Sequence, residues 1–133
     1  MDERRRRISE DLNDAIEGEI RVDRVALAAY STDASLYEIE PLAVAFPRHT
    51  KDVEILAAYS ADNSVPLIAR GAGSGLAGGA IGNGIVVDFS RHMNRIISIS
   101  EDRVRVQSGV VREQLNHQLR ERDLMLPAQH LAR

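Results

Sequence analysis

The chain has no cysteine among its 133 residues. It can therefore hold no disulfide scaffold, no thiolate zinc site and no iron–sulfur cluster of its own. It also lacks any apolar run near the roughly 20 residues that a helix needs to cross a bilayer. The start Arg4-Arg5-Arg6-Arg7 does not read as a secretory leader, because Ile8 to Glu19 is acidic and amphipathic where an apolar stretch should follow. The expectation is a cytoplasmic chain without a transmembrane segment. Nor is one sign of charge in large excess. A formal net charge of −3 argues against nucleic acid as a partner. The four arginines read as a solvated helix start offset by Asp2, Glu3, Glu10 and Asp11. No internal repeat or low-complexity linker interrupts the chain, and its length suits one domain with a real core.

What is present in abundance is glycine, and in one place. Arg70 to Gly84 holds seven of the nine glycines. The apolar patterns around this run set its context. Ile8, Leu12, Ala15, Ile16 and Ile20 recur at helical spacing, so residues 3–19 read as an amphipathic helix closed near Gly18, within an N-terminal helical segment over 1–30. Val22 to Tyr30 has room for a further helical turn, and residues 30–35 read as a polar loop. Leu42 to Phe46 reads as a strand buried on both faces and stopped by Pro47. Thr50 is placed to cap the next helix, with Asp52 and Glu54 in its first turn. Val53, Leu56, Ala57, Ser60 and Ala61 should form its inner face, and Asn63 its left-handed stop. Pro66 to Ala69 and Ile85 to Phe89 read as two more strands. Strand, helix and strand over 42–69 form a βαβ unit with parallel strands. Beyond it, Ile96–Ile99 and Val104–Val106 flank Glu101-Asp102 as an antiparallel hairpin, a helix covers about 110–122, and Leu124-Met125-Leu126 is apolar enough to be a strand. The fold class is α/β: a small parallel βαβ sheet with helices, followed by the start of a second, antiparallel subdomain.

The glycine run satisfies G-x-G-x-x-G over Gly73 to Gly78. A dinucleotide fold of the nicotinamide type would need a crossover helix next, then an acidic residue about 20 positions on. The next strand starts at Ile85, which leaves no room for that helix, and Asp88 reads as a strand-end partner. No Gly-Lys-Ser/Thr follows, so a P-loop is excluded as well. What survives is a strand–loop–strand whose loop can turn several N–H groups toward an anion. Ser74 adds a hydroxyl, and Arg70 can meet the anion or fix the loop. The competing possibility is that the glycines only let two elements cross closely.

The flanking residues narrow the choice. Thr32-Asp33-Ala34-Ser35 with Tyr37, Ala43 to Pro47 with Asp52-Val53, Val65-Pro66, and the run from Arg70 to Gly79 occur in order. Ile85 to Ser90, Met93 to Ile96, Val106 to Val110 and Leu115-Asn116 continue the series. This series resembles the flavin-binding domain of FAD-linked oxidases, the vanillyl-alcohol oxidase and p-cresol methylhydroxylase superfamily, over residues 30–127. The Thr-Asp-Ala-Ser start and the run from Asp88 to Arg95 look most like the bacterial D-lactate and glycolate dehydrogenase branch, and within it the large forms fused to an iron–sulfur domain.

The resemblance implies that the loop wraps the FAD pyrophosphate. Backbone contacts would fall on Gly71, Ala72, Gly73, Ser74 and Gly75, with Arg70 and Leu76 flanking and Gly79 closing the loop. Some relatives attach the flavin through a histidine in this stretch. Ser74 and Gly75 stand there in this chain, which implies noncovalent FAD. His49, His92, His117 and His130 read as surface or helix residues, and no residue reads as a catalytic base or metal ligand. Residues 31–133 would form a partial FAD-binding domain, with a first subdomain over about 40–92 and the start of a second over 93–133. The family's motif after Leu126 is replaced by Pro127 to Arg133. The implied function is the FAD-binding portion of an oxidoreductase acting on a 2-hydroxy acid such as D-lactate or glycolate. By itself this portion is expected to be inactive and to hold FAD weakly or not at all. A non-catalytic nucleotide-binding module, or a fragment self-associating through Leu124 to Leu126, stands as the alternative.

Overall fold

A computed structural model describes residues 2–126. Helix α1 spans Glu3–Leu12. Asp2 caps it by accepting the Arg4 N–H at 3.1 Å, and Arg6 bridges Glu3 and Glu10 on the solvent side. Ile8 and Leu12 are buried one turn apart. The helix stops six residues short of Gly18, where residues 13–18 turn toward strand β1, Glu19–Arg21. The stop has a tertiary cause. The Glu17 and Gly18 N–H groups donate to Asp52, so this backbone is held outside the helix.

Helix α2, Arg24–Ala29, is capped by Asp23. Strand β2, Ala43–Phe46, is followed by α3, Thr50–Asn63, then by β3, Leu67–Arg70, and β4, Ile85–Asp88. Three details of α3 differ from the sequence expectation. His49 occupies the N-cap position without a side-chain cap, and Thr50 is already helical. Ser64, not Asn63, takes the left-handed conformation at the C-terminus. Ala57 and Ala61 face outward, while Asp52 and Leu56 are buried.

The sheet order is β1-β2-β4-β3. β2 and β3 are each parallel to β4, which lies between them, so the βαβ crossover skips one position. β1 adds an antiparallel edge beside β2, with Ile20 opposite Ala45, and no strand was expected there. One face of the sheet, through Ala43, Ala45, Ile85 and Val87, packs with Ile8, Leu12, Ile16, Leu56 and Val65 into the main core. Toward the other side, Phe46 meets Tyr30 at the end of α2, edge to face at 5.8 Å.

A second, two-stranded antiparallel sheet follows, β5 (Ile96–Ile99) with β6 (Val104–Val106), bulged between Ile96 and Ser98. Helix α4, Arg112–Arg120, buries Leu115 and Leu119. Leu124 to Leu126 do not form a strand among the described residues. Their backbone is drawn onto α4 instead: the Leu124 N–H donates to the Leu119 carbonyl and the Leu126 N–H to Asn116 Oδ1. Met125 is exposed, and its two neighbours are half-buried. His130 and the rest of Pro127–Arg133 lie outside the described residues.

Candidate functional site

β3 delivers Arg70 to the end of the sheet, opposite Asp88 of β4. The chain between them, residues 71–84, contains no helix or strand. It is pinned at two points to the loop after α2. The Gly73 carbonyl accepts the Ala34 N–H at 2.9 Å. Seven residues on, the Ala80 N–H donates to Asp33 Oδ2 at 3.4 Å. Asp33 Oδ1 also accepts the Ser35 N–H at 2.8 Å, closing an Asx turn. These bonds to Ser35, first its side chain and then its backbone, hold the Asp33 carboxyl below the usual carboxylate range.

Arg70 acts on the same structure. Its Nη1 donates to the Thr32 carbonyl at 2.8 Å and to the Ala80 carbonyl at 3.5 Å, and its guanidinium lies 4.9 Å over the Tyr30 ring. Of the two roles open to Arg70 in the sequence, the structure displays loop fixing. Tyr30 in turn donates its hydroxyl to Asp88, which is 5% exposed and also accepts from the Ser90 N–H and hydroxyl. Burial, then the bond to Asp88, pushes the Tyr30 hydroxyl up to about 12. Asp88 is thus a strand-end partner with its acceptors engaged.

The five glycines from Gly71 to Gly79 fall into two groups. Gly73 and Gly78 have positive φ, +70° and +76°. A Cβ on Gly73 would stand 2.7 Å from Arg70 Nη2, and one on Gly78 2.9 Å from Tyr37 Cδ2. Both are required by the fold itself. Gly75 and Gly79 have neither need: nothing lies within 4 Å of where a Cβ would stand, and their φ values are not positive. A Cβ on Gly71 would meet only the Ser108 carbonyl, at 4.0 Å.

The backbone donors do not divide in this way. Among the described residues, no N–H from Ala72 to Gly79 donates to another protein group. Between the two pins, Ser74 to Gly79 therefore forms an exposed arch of donors with space above it, and Leu76 is 52% exposed at its crest. Such an arch fits an anion that several N–H groups approach at once. A pyrophosphate is such an anion, and the space beside Gly75 and Gly79 is open. More enclosed concavities lie elsewhere, such as one of about 250 Å³ between the β5–β6 turn and Leu119 with Leu124 to Leu126.

All eight residues singled out in the sequence thus lie at one end of the sheet. The sequence reading assigned no site role to Asp33, Ala34 or Tyr37, which brace the loop. Their signal was the Thr-Asp-Ala-Ser motif, 35 or more residues before the glycines.

Comparison with known proteins bears on the same stretch. A family profile described as an FAD binding domain matches residues 41–133. The chain is 47% identical over 95 residues to the D-2-hydroxyglutarate dehydrogenase of Escherichia coli K12, covering 68% of this chain and 9% of that protein. It is 37% identical over 87 residues to the glycolate oxidase subunit GlcD of Bacillus subtilis, covering 62% of this chain and 18% of the relative. Among solved structures, 6-hydroxy-D-nicotine oxidase from Arthrobacter nicotinovorans superposes with a TM-score of 0.67 at 28% identity, over 80% of this chain and 24% of that one. The 4-ethylphenol oxidase of Gulosibacter chungangensis, at 20% identity, shares the fold with a TM-score of 0.70 over 92% of this chain and 25% of that one. The chain spans about a tenth of the length of the D-2-hydroxyglutarate dehydrogenases it matches.

Proposed function

The chain belongs to the FAD-binding-domain family of flavin oxidoreductases, and from that premise we propose that its glycine arch holds the pyrophosphate of noncovalently bound FAD. Gly71, Ala72, Gly73, Ser74, Gly75 and Gly79 would line it, with Arg70 and Leu76 at its margins. One observation carries the reading: Gly75 and Gly79 face open space and satisfy no conformational need of their own. Conformational entropy makes such glycines costly unless something must approach the backbone closely. Bound flavin supplies the electron-accepting ring, and the protein's share is to bind and orient it. No histidine stands at Ser74 or Gly75 to form a covalent link.

We propose further that the substrate of the whole protein is a 2-hydroxy acid. Relatives named for D-2-hydroxyglutarate, glycolate and D-lactate support that class. Among the described residues no helix is long and apolar enough to cross a membrane.

Titration with FAD, followed by flavin fluorescence and by thermal shift, tests the pyrophosphate assignment. Weak but saturable binding is expected for the wild-type chain. Binding should be lost in Gly75→Val and Gly79→Val, whose far-ultraviolet circular dichroism and melting should stay close to wild type. Gly73→Val, in contrast, should lower the melting temperature, because positive φ and the Arg70 contact both oppose it. Undiminished FAD binding by Gly75→Val would remove the arch from the site.

A further inference from the structure

We propose that Asp33 and Arg70 form a positioning latch that presets the glycine arch, and that neither side chain touches the anion. The proposal rests on the FAD reading for its ligand, but the latch itself belongs to the ligand-free chain. The peptide group of Ala80 is held at both poles: its N–H by Asp33 Oδ2 and its carbonyl by Arg70 Nη1. The same Nη1 ties the Thr32 carbonyl, one residue before Asp33. The Ala34–Gly73 bond pins the other end of the arch to the same short segment.

The hydrogen bonds that Arg70 makes go to the loop and to its brace. Its Nη1 is committed to two carbonyls, one face is turned to Tyr30, and Gly73 is packed against the Nη2 side. Asp33 points the same way, because a carboxylate beside an anion site is repulsive unless a cation balances it. Arg70 supplies that balance and contributes to keeping Asp33 ionised. The result is a near-neutral clasp at the base of the arch, which leaves attraction of the ligand to the backbone N–H groups. An arch preset in this way loses less freedom when ligand binds, which is how preorganisation raises affinity.

Hydrogen exchange of the ligand-free full chain and FAD titration, applied to Asp33→Ala, Asp33→Asn, Arg70→Gln and the Asp33→Ala/Arg70→Gln double variant, test the latch. Exchange at Ala34 and Ala80 should quicken by about tenfold in Asp33→Ala and Arg70→Gln, the equivalent of one ordinary hydrogen bond. Asp33→Asn, which keeps an acceptor oxygen, should quicken it less. FAD affinity should fall by about tenfold in parallel, and the double variant should be no worse than the weaker single one, since both residues hold one peptide. The dependence of FAD affinity on ionic strength should be unchanged in the double variant, which removes both charges of the clasp, whereas loss of a direct phosphate contact would flatten it. Unchanged exchange at Ala80 in both single variants, additive losses in the double, or a flattened salt dependence would each overturn the latch. Should the wild-type chain fail to bind FAD, the cofactor reading falls while the exchange experiment still decides the latch.

Discussion

Asp52 is 1% exposed, yet it is the first-turn acid of an otherwise amphipathic helix. Its two oxygens accept N–H groups from Glu17, Gly18 and Arg48 at 2.9–3.0 Å, tying the approach to β1 and the chain after β2 to α3. Burial works to raise its pKa, but the three backbone donors outweigh it and hold the carboxyl below the usual range. A carboxyl depressed in the folded state adds stability above its unfolded pKa of about 3.9, and that stability drains away as pH falls through the folded value. Asp52→Asn keeps the shape but turns an N–H₂ toward donors, and should cost about 1–3 kcal/mol at pH 7. Urea unfolding between pH 7 and pH 3 should show the wild-type advantage shrinking below about pH 4. An advantage of constant size across that range would rule out the carboxylate as its source. Asp52 was visible in the sequence as a helix-dipole acid, but its three donors were not. They come from residues 4, 34 and 35 positions away, and no local pattern encodes that meeting.

At the scale of elements, α3 and its flanking strands were legible because their apolar residues follow simple periods. The four buried residues of β2 announce a strand covered on both faces. Leu56 is the fully buried anchor of α3 on the main core. Leu56→Ala should lower stability by about 2–5 kcal/mol, against a near-neutral effect of Ala57→Ser on the outward face. Chemical denaturation of both variants checks the orientation, and equal losses would refute it. Two element-level features escaped the sequence. β1 is three residues long, too short for a periodic signal, and exists because β2 offers it an edge. Leu124 to Leu126 have the composition of a strand, but the hydrogen bonds to Leu119 and Asn116 hold them against α4.

For the whole molecule, exposed apolar side chains raise a second functional reading, self-association. Met125 is 73% exposed beside half-buried Leu124 and Leu126, and Ile97 on β5 is also exposed. If this region self-associates, light scattering behind a sizing column should show a dimer or larger species, and Met125→Glu should shift it toward monomer. A monomer at all concentrations would leave the FAD reading without that rival.

The sequence by itself determined strands β2 to β6, the position of the glycine loop, and the exclusion of P-loop and nicotinamide chemistry. Each of these depends on residue type and spacing along one short stretch. The order β1-β2-β4-β3, the burial of Asp52 and the division of labour within the loop were decided only in three dimensions. A glycine needed for backbone shape and one needed for open space look alike in a sequence. They separate once Arg70 and Tyr37 are seen against Gly73 and Gly78, with nothing standing over Gly75 and Gly79. Chain folding brings residues 32–37 to residues 70–80, and that long-range contact turns a flexible glycine run into a held arch.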